Sequence, residues 1–312
     1  MSRHTDVVVA VLTYRRPDEL ATTLAPLVEQ TTALDGDALV LVIDNDPEGS
    51  AEDVVRSWSH RGVEYVHEPR PGISAARNRA LDEAVAMGAR LLAFIDDDER
   101  PSDHWLRQLV DVQARTGAGA VVGAMVFEFV GEPDPWVAAG RFFERPRHAT
   151  GTTVPAAGTG NLLLDLAVVE AAGLRFDEKF SMTGGSDTLF TRQLRATGHE
   201  LVWCDEAEAV DRVPAGRATR RWVLLRATRS GNSWGRTSLR LARSRIESAQ
   251  VRLQLTSGGL VRVAAGLGRA ALGLLGRRAF HQARGLRTAA RGVGMLMAGF
   301  GITYVEYRRR AE

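Results

Sequence analysis

The sequence predicts an α/β fold in which a mostly parallel, Rossmann-like sheet is flanked by helices and followed by a basic helical extension. Two observations carry this prediction. Apolar runs alternate with helical patterns over the first hundred residues, and arginines accumulate in the last hundred. Residues 212–312 hold 21 arginines and three glutamates, a net charge of +18, whereas residues 1–211 have a net charge of −16.

Apolar runs in the first hundred residues predict the buried strands of a parallel sheet. Most are hydrophobic at consecutive positions, as expected of strands that helices cover on both faces. Because strands alternate with helices, right-handed crossovers place the strands side by side. The predicted strands are 7–12, 38–43, 63–67 and 91–95.

Helical patterns fill the intervals between these strands. Pro26 lies inside the first pattern and predicts a kink or an early end there. Ser74 is placed to cap the third helix, and Gly88 is placed to end it. The predicted helices are 18–30, 52–59 and 74–87.

The second half of the sheet is less regular in sequence. A loop at 132–136 carries Trp136, and the glycines around Thr159 allow close backbone approach to a ligand. Ser186 is placed to cap a helix. The expected order is helix 103–116, strand 120–130, loop 132–136, strand 161–165, helix 168–173, then a turn and a helix within 180–195.

Polar residues follow three of the predicted strands at the point where each ends. The clusters are 13–15, 44–46 and 96–98. The carboxyl ends of neighbouring parallel strands meet at one edge of the sheet, where such folds bind ligands. We therefore expect a nucleotide-sized site at this edge, with ordinary polar loops as the alternative.

Three adjacent aspartates at 96–98 predict a bound cation. Their charges repel one another, and hard oxygen ligands suit Mg²⁺ or Mn²⁺ shared with substrate phosphates. A solvated acidic turn is the simpler alternative. The sequence lacks a Gly-rich dinucleotide fingerprint after the first strand and a phosphate loop, which counts against NAD enzymes and P-loop NTPases.

The ordered motifs of residues 6–215 resemble those of the family 2 glycosyltransferases, which have the GT-A fold and use nucleotide-sugar donors. The resemblance implies a glycosyltransferase domain over 1–215, with a nucleotide-sugar half at about 1–100 and an acceptor half at about 101–215. A basic helical region follows at 216–312. The motifs are VAVLTYRRP at 9–17, VIDN at 42–45, PGISAARN at 71–78, FIDDD at 94–98, GTGN at 158–161 and GGSD at 184–187 with Arg192.

The resemblance also implies roles for single residues. Asp98 would be the direct ligand of Mn²⁺ or Mg²⁺ in an Asp-x-Asp element with Asp96, and Asp211 would be a third ligand. The residues that hold the donor would be Thr13, Tyr14, Arg15, Asp44, Arg77, Asn78, Asp96 and Asp97.

Asp187 would be the general base of the acceptor half. The usual family motif is Gly-Gly-Glu-Asp, and Ser186 replaces the glutamate here. The alternative is that Asp187 only complements the dipole at a helix start. Trp136 could stack on a sugar ring, or it could pack against other side chains of the protein. The residues expected to contact the acceptor are Trp136, Thr159, Gly160, Asn161, Gly185 and Ser186.

The basic tail predicts amphipathic helices on an anionic membrane surface. Its apolar run at 260–275 is interrupted by Arg262 and Arg269, and the run at 292–305 is shorter than the ~20 residues that span a bilayer. We therefore expect peripheral attachment to the inner face of the cell membrane, with a helical cap on the domain as the alternative. Nucleic acid is not expected, because no nucleic-acid fold signature accompanies the arginines.

The resemblance thus implies an inverting enzyme that moves a sugar from a nucleoside-diphosphate sugar, a UDP-sugar by expectation, to a hydroxyl acceptor. The acceptor could be a glycan, a lipid-linked sugar or a small molecule. A sugar nucleotidyltransferase is one rival, but the first loop lacks glycine and lysine. A non-catalytic nucleotide-sugar-binding scaffold is the other, and the presence of both Asp98 and Asp187 argues against it.

Overall fold

The structure is a computed structural model that describes residues 5–34 and 38–304. The chain divides into two compact units. The first comprises Met1–Val126, Pro146–Ser181 and Ser186–Asp211. The second comprises Phe127–Arg145, Met182–Gly185 and Arg212–Glu312. The sequence analysis put the division near residue 215, and the structure differs by assigning two earlier segments to the second unit.

One eight-stranded sheet organises the first unit. Its strand order is β3-β2-β1-β4-β7-β6-β8-β5. The first four strands along the chain pair in parallel, whereas β7 runs antiparallel to β4 and β6, and β5 runs antiparallel to β8. The strands are β1 (Val7–Thr13), β2 (Ala38–Asp44), β3 (Val63–His67), β4 (Leu91–Asp96), β5 (Glu99–Pro101), β6 (Ala120–Phe129), β7 (Asn161–Asp165) and β8 (Leu201–Val213).

Helices cover both faces of this sheet. One buried apolar layer lies against α1 and α4, and a second lies against α3, α6 and α7. This arrangement confirms the predicted α/β class. The helices of both units among the described residues are α1 (Pro17–Ala33), α2 (Glu52–Arg56), α3 (Ile73–Ala86), α4 (Trp105–Thr116), α5 (Pro135–Gly140), α6 (Leu166–Ala171), α7 (Ser186–Ala196), α8 (Arg220–Leu241), α9 (Arg245–Leu275) and α10 (Ala279–Gly299); α5, α8, α9 and α10 belong to the second unit.

Two local predictions about helices need correction. Of the two outcomes predicted for Pro26, the early end is wrong: helix α1 continues through Pro26 to Ala33, because its buried apolar face holds the helix together beyond the missing N–H. The kink stays a prediction. Helix α3 has Gly72 rather than Ser74 at its N-cap, with φ at 114°. A Cβ at position 72 would lie 2.8 Å from the Cβ of Ser181, so only glycine allows this approach.

The sequence analysis did not predict β5 and β8. Strand β8 reads LVWCDEAEAVDRV, and its charged second half hides the alternation of buried and partly exposed side chains. Strand β5 has three residues, which is too short for a periodic signal. Both strands matter for the site, because their pairing places Glu99 opposite Asp211.

Helices α9 and α10 of the second unit pack closely through glycines. A Cβ added to Gly266 would lie 2.6 Å from the Ala289 nitrogen and 2.7 Å from the Gly285 oxygen. Backbone therefore contacts backbone, as small residues permit in tightly packed helix pairs. The glycines recur every seven residues on each helix, at Gly259, Gly266 and Gly273 and at Gly285, Gly292 and Gly299.

Helix α9 has the length and composition of a membrane-spanning helix. It continues through Arg262 and Arg269 as one helix of 31 residues. The two arginines divide the apolar run of the sequence without ending the helix, and peripheral attachment stays a prediction. Val305, the end of the other predicted apolar run, lies outside the described residues. Large apolar side chains of α9 are more than half exposed at a seven-residue spacing, and they are Ile246, Leu253, Leu260, Leu267 and Leu274.

Candidate active site

The ends of three parallel strands form one edge of the sheet in the first unit. Thr13 of β1 lies opposite Asp44 of β2, and Leu12 lies opposite Asp96 of β4. The carboxyl ends of these strands are therefore level. The prediction that the three polar clusters lie side by side at one edge of the sheet is confirmed.

The polar residues after β1 bind neighbouring acids. The Thr13 hydroxyl donates to an Asp97 carboxylate oxygen at 2.8 Å. Arg15 has a left-handed backbone conformation, with φ at 56°, and its guanidinium donates to Asp46 at 3.2 Å. The Tyr14 ring lies 5.5 Å from that guanidinium and is 38% exposed. Of these residues, Tyr14 and Arg15 present side chains to solvent.

Asp44 is fully buried and organises the loop after β2. One of its oxygens accepts from the Asp46 amide at 3.0 Å, and the other accepts from the Ala51 amide at 2.8 Å. The Tyr65 hydroxyl also donates to it at 3.2 Å. Burial raises the pKa of Tyr65, and the Asp44 carboxylate raises it further. A donor contact by Asp44 stays a prediction.

The three aspartates after β4 have different surroundings. Asp97 is 5% exposed and is held by Thr13 and by Arg16, whose guanidinium lies 3.3 Å from its carboxylate. The same guanidinium donates to Asp98 at 2.8 Å. Burial raises the pKa of Asp97 to about 6. Asp97 thus ties the end of β4 to β1 and α1.

Asp96 lies among other carboxylates. Burial raises its pKa to about 6, the Arg77 guanidinium lowers it, and the charges of Asp98, Asp211 and Asp187 raise it. The predicted metal ligands and the predicted base therefore interact electrostatically. Such a cluster favours a bound cation or proton.

Glu99 is a site residue that the sequence analysis missed. Its side chain is 4% exposed and accepts from the Asp96 amide at 3.2 Å. Burial raises its pKa well above the ordinary value, and the Asp96 charge adds to this effect. Its position directly after the aspartate triplet was the only sequence signal.

The glycine segment 158–160 lies beside Asp96 and Glu99 at one end and beside Asp187 at the other. A Cβ on Gly160 would lie 2.7 Å from a Glu99 carboxylate oxygen and 3.2 Å from one of Asp96. A Cβ on Gly158 would lie 3.4 Å from Oδ2 of Asp187. The glycines thus allow backbone to approach the carboxylates, and a larger side chain at position 160 would not fit.

Thr159 lies between these glycines. Its side chain is 3% exposed, and within the part of the chain that the structure describes its Oγ1 has no hydrogen-bond partner. A buried hydroxyl without a partner is costly. It therefore fits a polar ligand beside the carboxylates.

Asp187 lies in the first turn of α7, as predicted. Its Oδ1 accepts from the Thr188 amide at 2.7 Å. Ser186, which takes the place of the usual glutamate, is buried and accepts from Arg77 at 2.9 Å. Ser186 is the first residue of α7, and through it Arg77 is oriented within the site.

Asn78 and Asn161 use their side chains within the protein. The Asn78 amide donates to the Phe176 carbonyl at 3.0 Å and its oxygen accepts from the Phe176 amide at 2.8 Å. Asn161 accepts from Trp105 Nε1 at 2.8 Å and donates to two strand carbonyls. Asn161 is 3% exposed. These bonds are structural, so we do not place either side chain on a substrate.

We expect Asn161→Ala to lower the free energy of unfolding by about 2 kcal/mol, because the buried Trp105 donor and two carbonyls lose their partner. Thermal melting would measure the change. An unchanged melting temperature with a raised acceptor KM would instead favour acceptor contact by Asn161.

Trp136 lies in the second unit, on helix α5 rather than in a loop. Its ring is 5% exposed, packs 5.3 Å from Phe142 and lies under the Arg220 guanidinium at 5.8 Å. A buried ring has no free face for a sugar, so we correct the expectation of stacking. Gly185 also belongs to the second unit, and its φ of 98° requires glycine.

The carboxylates provide the donor chemistry that Mg²⁺ and Mn²⁺ prefer. However, the described residues contain no group of three or more His, Cys, Asp or Glu side chains arranged to hold a metal ion. The Arg16 guanidinium donates a hydrogen bond to one carboxylate oxygen of Asp98. The residues fit a divalent cation in type and charge, and the ligand set stays a prediction.

Comparisons with known proteins identify the family of the chain. A model described as glycosyl transferase family 2 matches residues 8–171. The chain is 35% identical over 232 residues to the succinoglycan biosynthesis protein ExoM of Rhizobium meliloti (strain 1021), covering 73% of this chain and 74% of ExoM. It is 26% identical over 173 residues to the glycosyltransferase AglE of Haloferax volcanii, covering 54% of each chain.

A solved structure supports the fold. The crystal structure of S. aureus TarS 1-349 matches with a TM-score of 0.52 and 15% identity over 98% of this chain and 93% of that chain. At that identity the likeness concerns the fold alone. The family match covers the strand ends, the aspartates and the glycine segment, so the protein is an enzyme that belongs to glycosyl transferase family 2.

Proposed function

We propose that the enzyme inverts the configuration of a sugar that it moves from a nucleoside-diphosphate donor to a hydroxyl acceptor. The observation that carries the proposal is the glycine segment 158–160, which approaches both Asp187 and the pair Asp96 and Glu99. The carboxylate of Asp187, which could act as a base toward an acceptor hydroxyl, thus lies near carboxylates that could hold a cation bound to the donor.

Asp187 is the proposed general base. The Thr188 amide binds one of its oxygens at 2.7 Å, which fixes the carboxylate and leaves the other oxygen toward the glycine segment. That oxygen would take the proton from the acceptor hydroxyl as the hydroxyl attacks the anomeric carbon. Arg77, held by Ser186, supplies positive charge near the acids.

Asp98, Asp96 and Asp211 would hold Mn²⁺ or Mg²⁺. A bound divalent cation would offset the negative charge of the departing nucleoside diphosphate. Three features support this assignment: the oxygen-only donor set, the burial and the mutual repulsion that raise the pKa of Asp96, and the buried hydroxyl of Thr159 without a partner among the described residues.

Asp98→Ala should abolish the Mn²⁺-dependent rise in melting temperature that UDP produces, because a direct ligand is lost. Differential scanning fluorimetry with UDP, with and without Mn²⁺, measures this effect without relying on turnover. Asp53→Ala, a substitution of an exposed acid on α2, is the control. An undiminished Mn²⁺ effect in Asp98→Ala would exclude Asp98 as a ligand.

A UDP-sugar is the donor to test first. The S. aureus TarS 1-349 chain has been solved in complex with UDP-GlcNAc, and ExoM is named for succinoglycan biosynthesis. We propose a role in polysaccharide, glycolipid or natural-product glycosylation. Release of the nucleoside diphosphate from a panel of nucleotide sugars with Mn²⁺, the UDP-sugars first, tests the donor, and no release from any member of the panel would contradict the proposal.

We also propose that the second unit binds an anionic membrane surface as a peripheral element of a cytoplasmic enzyme. Its residues 212–312 have a net charge of +18, and α9 exposes an apolar stripe that includes Leu253, Leu260 and Leu267. Exposed apolar stripes next to arginines are typical of helices at lipid interfaces.

Replacing Leu253, Leu260 and Leu267 together by Gln should lower binding to phosphatidylglycerol vesicles at least tenfold, since three apolar side chains no longer enter the lipid. Co-sedimentation measures the bound fraction. Leu225→Gln, at an exposed leucine of α8, should bind as the wild type does. Equal binding by the triple variant would show that the stripe does not contact lipid.

A further inference from the structure

Arg16 lies where β1 passes into α1, next to the aspartates that follow β4. It is the N-cap residue of α1, directly before Pro17, and its carbonyl accepts from the Leu20 amide at 3.1 Å. These features fix the backbone at Arg16. The side chain is 40% exposed, so the guanidinium can move without a change in the fold.

Arg16 contacts two of the aspartates through one nitrogen. Its Nη1 donates to Asp97 at 3.3 Å and to Asp98 at 2.8 Å. Asp97 is buried and also accepts from the Thr13 hydroxyl at 2.8 Å, so it keeps a donor without Arg16. The Asp98 side chain is 24% exposed. Asp98 is therefore the carboxylate of this pair that solvent or a ligand reaches more easily.

The contacts of Arg16 bring positive charge to an acidic cluster. Burial lowers the pKa of Arg16, but the charges of Asp97 and Asp98 raise it by more, so the guanidinium stays charged. In the described part of the chain, the hydrogen bonds and ion pairs of this guanidinium all go to these two carboxylates. Carboxylates that share a cation are stabilised in their charged form. Arg16 thus provides in the free protein part of the charge that a divalent cation would provide.

We propose that Arg16 is an exchangeable counter-cation, which holds Asp98 in the free enzyme and releases this carboxylate when a divalent cation binds. The inference rests on the proposed assignment of Asp98 as a metal ligand. Because only the state without the Arg16 contact offers the whole carboxylate, the contact lowers the apparent affinity for a cation alone. A cation that arrives with a diphosphate brings phosphate oxygens as further ligands, so it replaces Arg16 more readily.

The test uses the full chain without nucleotide, and Mn²⁺ is the probe. We expect Arg16→Gln to raise the affinity for Mn²⁺ about tenfold, the effect of one charge-assisted contact that no longer competes. Isothermal titration calorimetry measures this change. The same variant should melt at a lower temperature than the wild type in EDTA, because the aspartates lose a neutralising charge. Tighter metal binding by a less stable protein is not the result of general damage to the fold.

Arg100→Gln is the matched control, since it removes the same charge two residues from Asp98. Arg100 is exposed on β5, and among the described residues it has no ion pair with the aspartates. It should bind Mn²⁺ as the wild type does. Arg16→Lys keeps the charge but lacks the fork of N–H donors, so it should raise the affinity by less than Arg16→Gln and serves if the glutamine variant does not fold.

An affinity for Mn²⁺ that is unchanged or lower in the Arg16 variants would overturn the proposal, because Arg16 would then only orient Asp98. An equal rise in Arg100→Gln would overturn it as well, by showing a general effect of charge. Failure of the metal assignment itself is distinguishable: Asp98→Ala would then bind Mn²⁺ as the wild type does. If Asp98→Ala loses Mn²⁺ and Arg16→Gln gains nothing, only the role of Arg16 is refuted.

Discussion

Asp187→Asn should lower the rate of sugar transfer by about a thousandfold while changing the affinity for the donor less than twofold. An amide cannot accept the acceptor proton, and general base catalysis contributes roughly 10²–10⁴ in rate. The amide oxygen can still accept from the Thr188 amide, so the start of α7 should be preserved. Steady-state transfer kinetics and calorimetric binding of the nucleotide would measure the two effects separately.

Asp165→Asn is the matched control for this substitution. Asp165 also lies at a helix start, where its Oδ1 accepts from the Val168 amide at 3.2 Å. If Asp187 served only as a helix cap, both variants would change activity alike and modestly. A comparable loss of transfer and donor binding in Asp187→Asn would argue for a positioning role instead of a base.

Gly266→Leu should destabilise the helix pair α9 and α10 by about 3 kcal/mol. Even a Cβ at position 266 would lie 2.6 Å from the Ala289 nitrogen. A backbone atom cannot relieve this clash by changing rotamer, as a side chain can. The two helices would have to separate along their length, and overpacking of this kind costs roughly 1–3 kcal/mol or more. Thermal melting followed by circular dichroism would record the loss.

Gly268→Leu, on the same helix, should not destabilise the protein. Apart from the adjacent backbone of α9 itself, no atom of the described residues lies within 4 Å of a Cβ at position 268, and leucine forms helices better than glycine by about 0.7 kcal/mol or more. This variant should melt at or above the wild-type temperature. If both leucine variants melted alike, the packing of α9 on α10 would not depend on the glycine face.

The strand ends of the site could be predicted because they depend on short-range patterns. A buried apolar run followed by polar residues identified Thr13, Asp44 and Asp96, and parallel pairing made those ends level. Asp187 was identified through the family motif. What the sequence could not indicate was which polar side chains the protein would use for itself, as with Asn161, since this depends on distant partners such as Trp105.

Glu99 was missed for a related reason. Its importance comes from β5 pairing with β8, which is a long-range contact that no local pattern reveals. The glycine spacing in the tail, by contrast, is visible in the sequence at Gly259, Gly266 and Gly273. Such a sustained seven-residue period predicts a helical packing face, even where arginines interrupt the apolar residues between the glycines.

The shared period of α9 also limits how this helix can change in length during evolution. The exposed leucines and the glycine face both recur every seven residues, and each added residue turns the following part of a helix by about 100°. A single insertion after Gly259 would therefore rotate Gly266 away from α10 and carry Leu267 off the exposed stripe. Seven residues added or removed together would leave both faces nearly aligned, so whole heptads are the units of length that α9 can gain or lose.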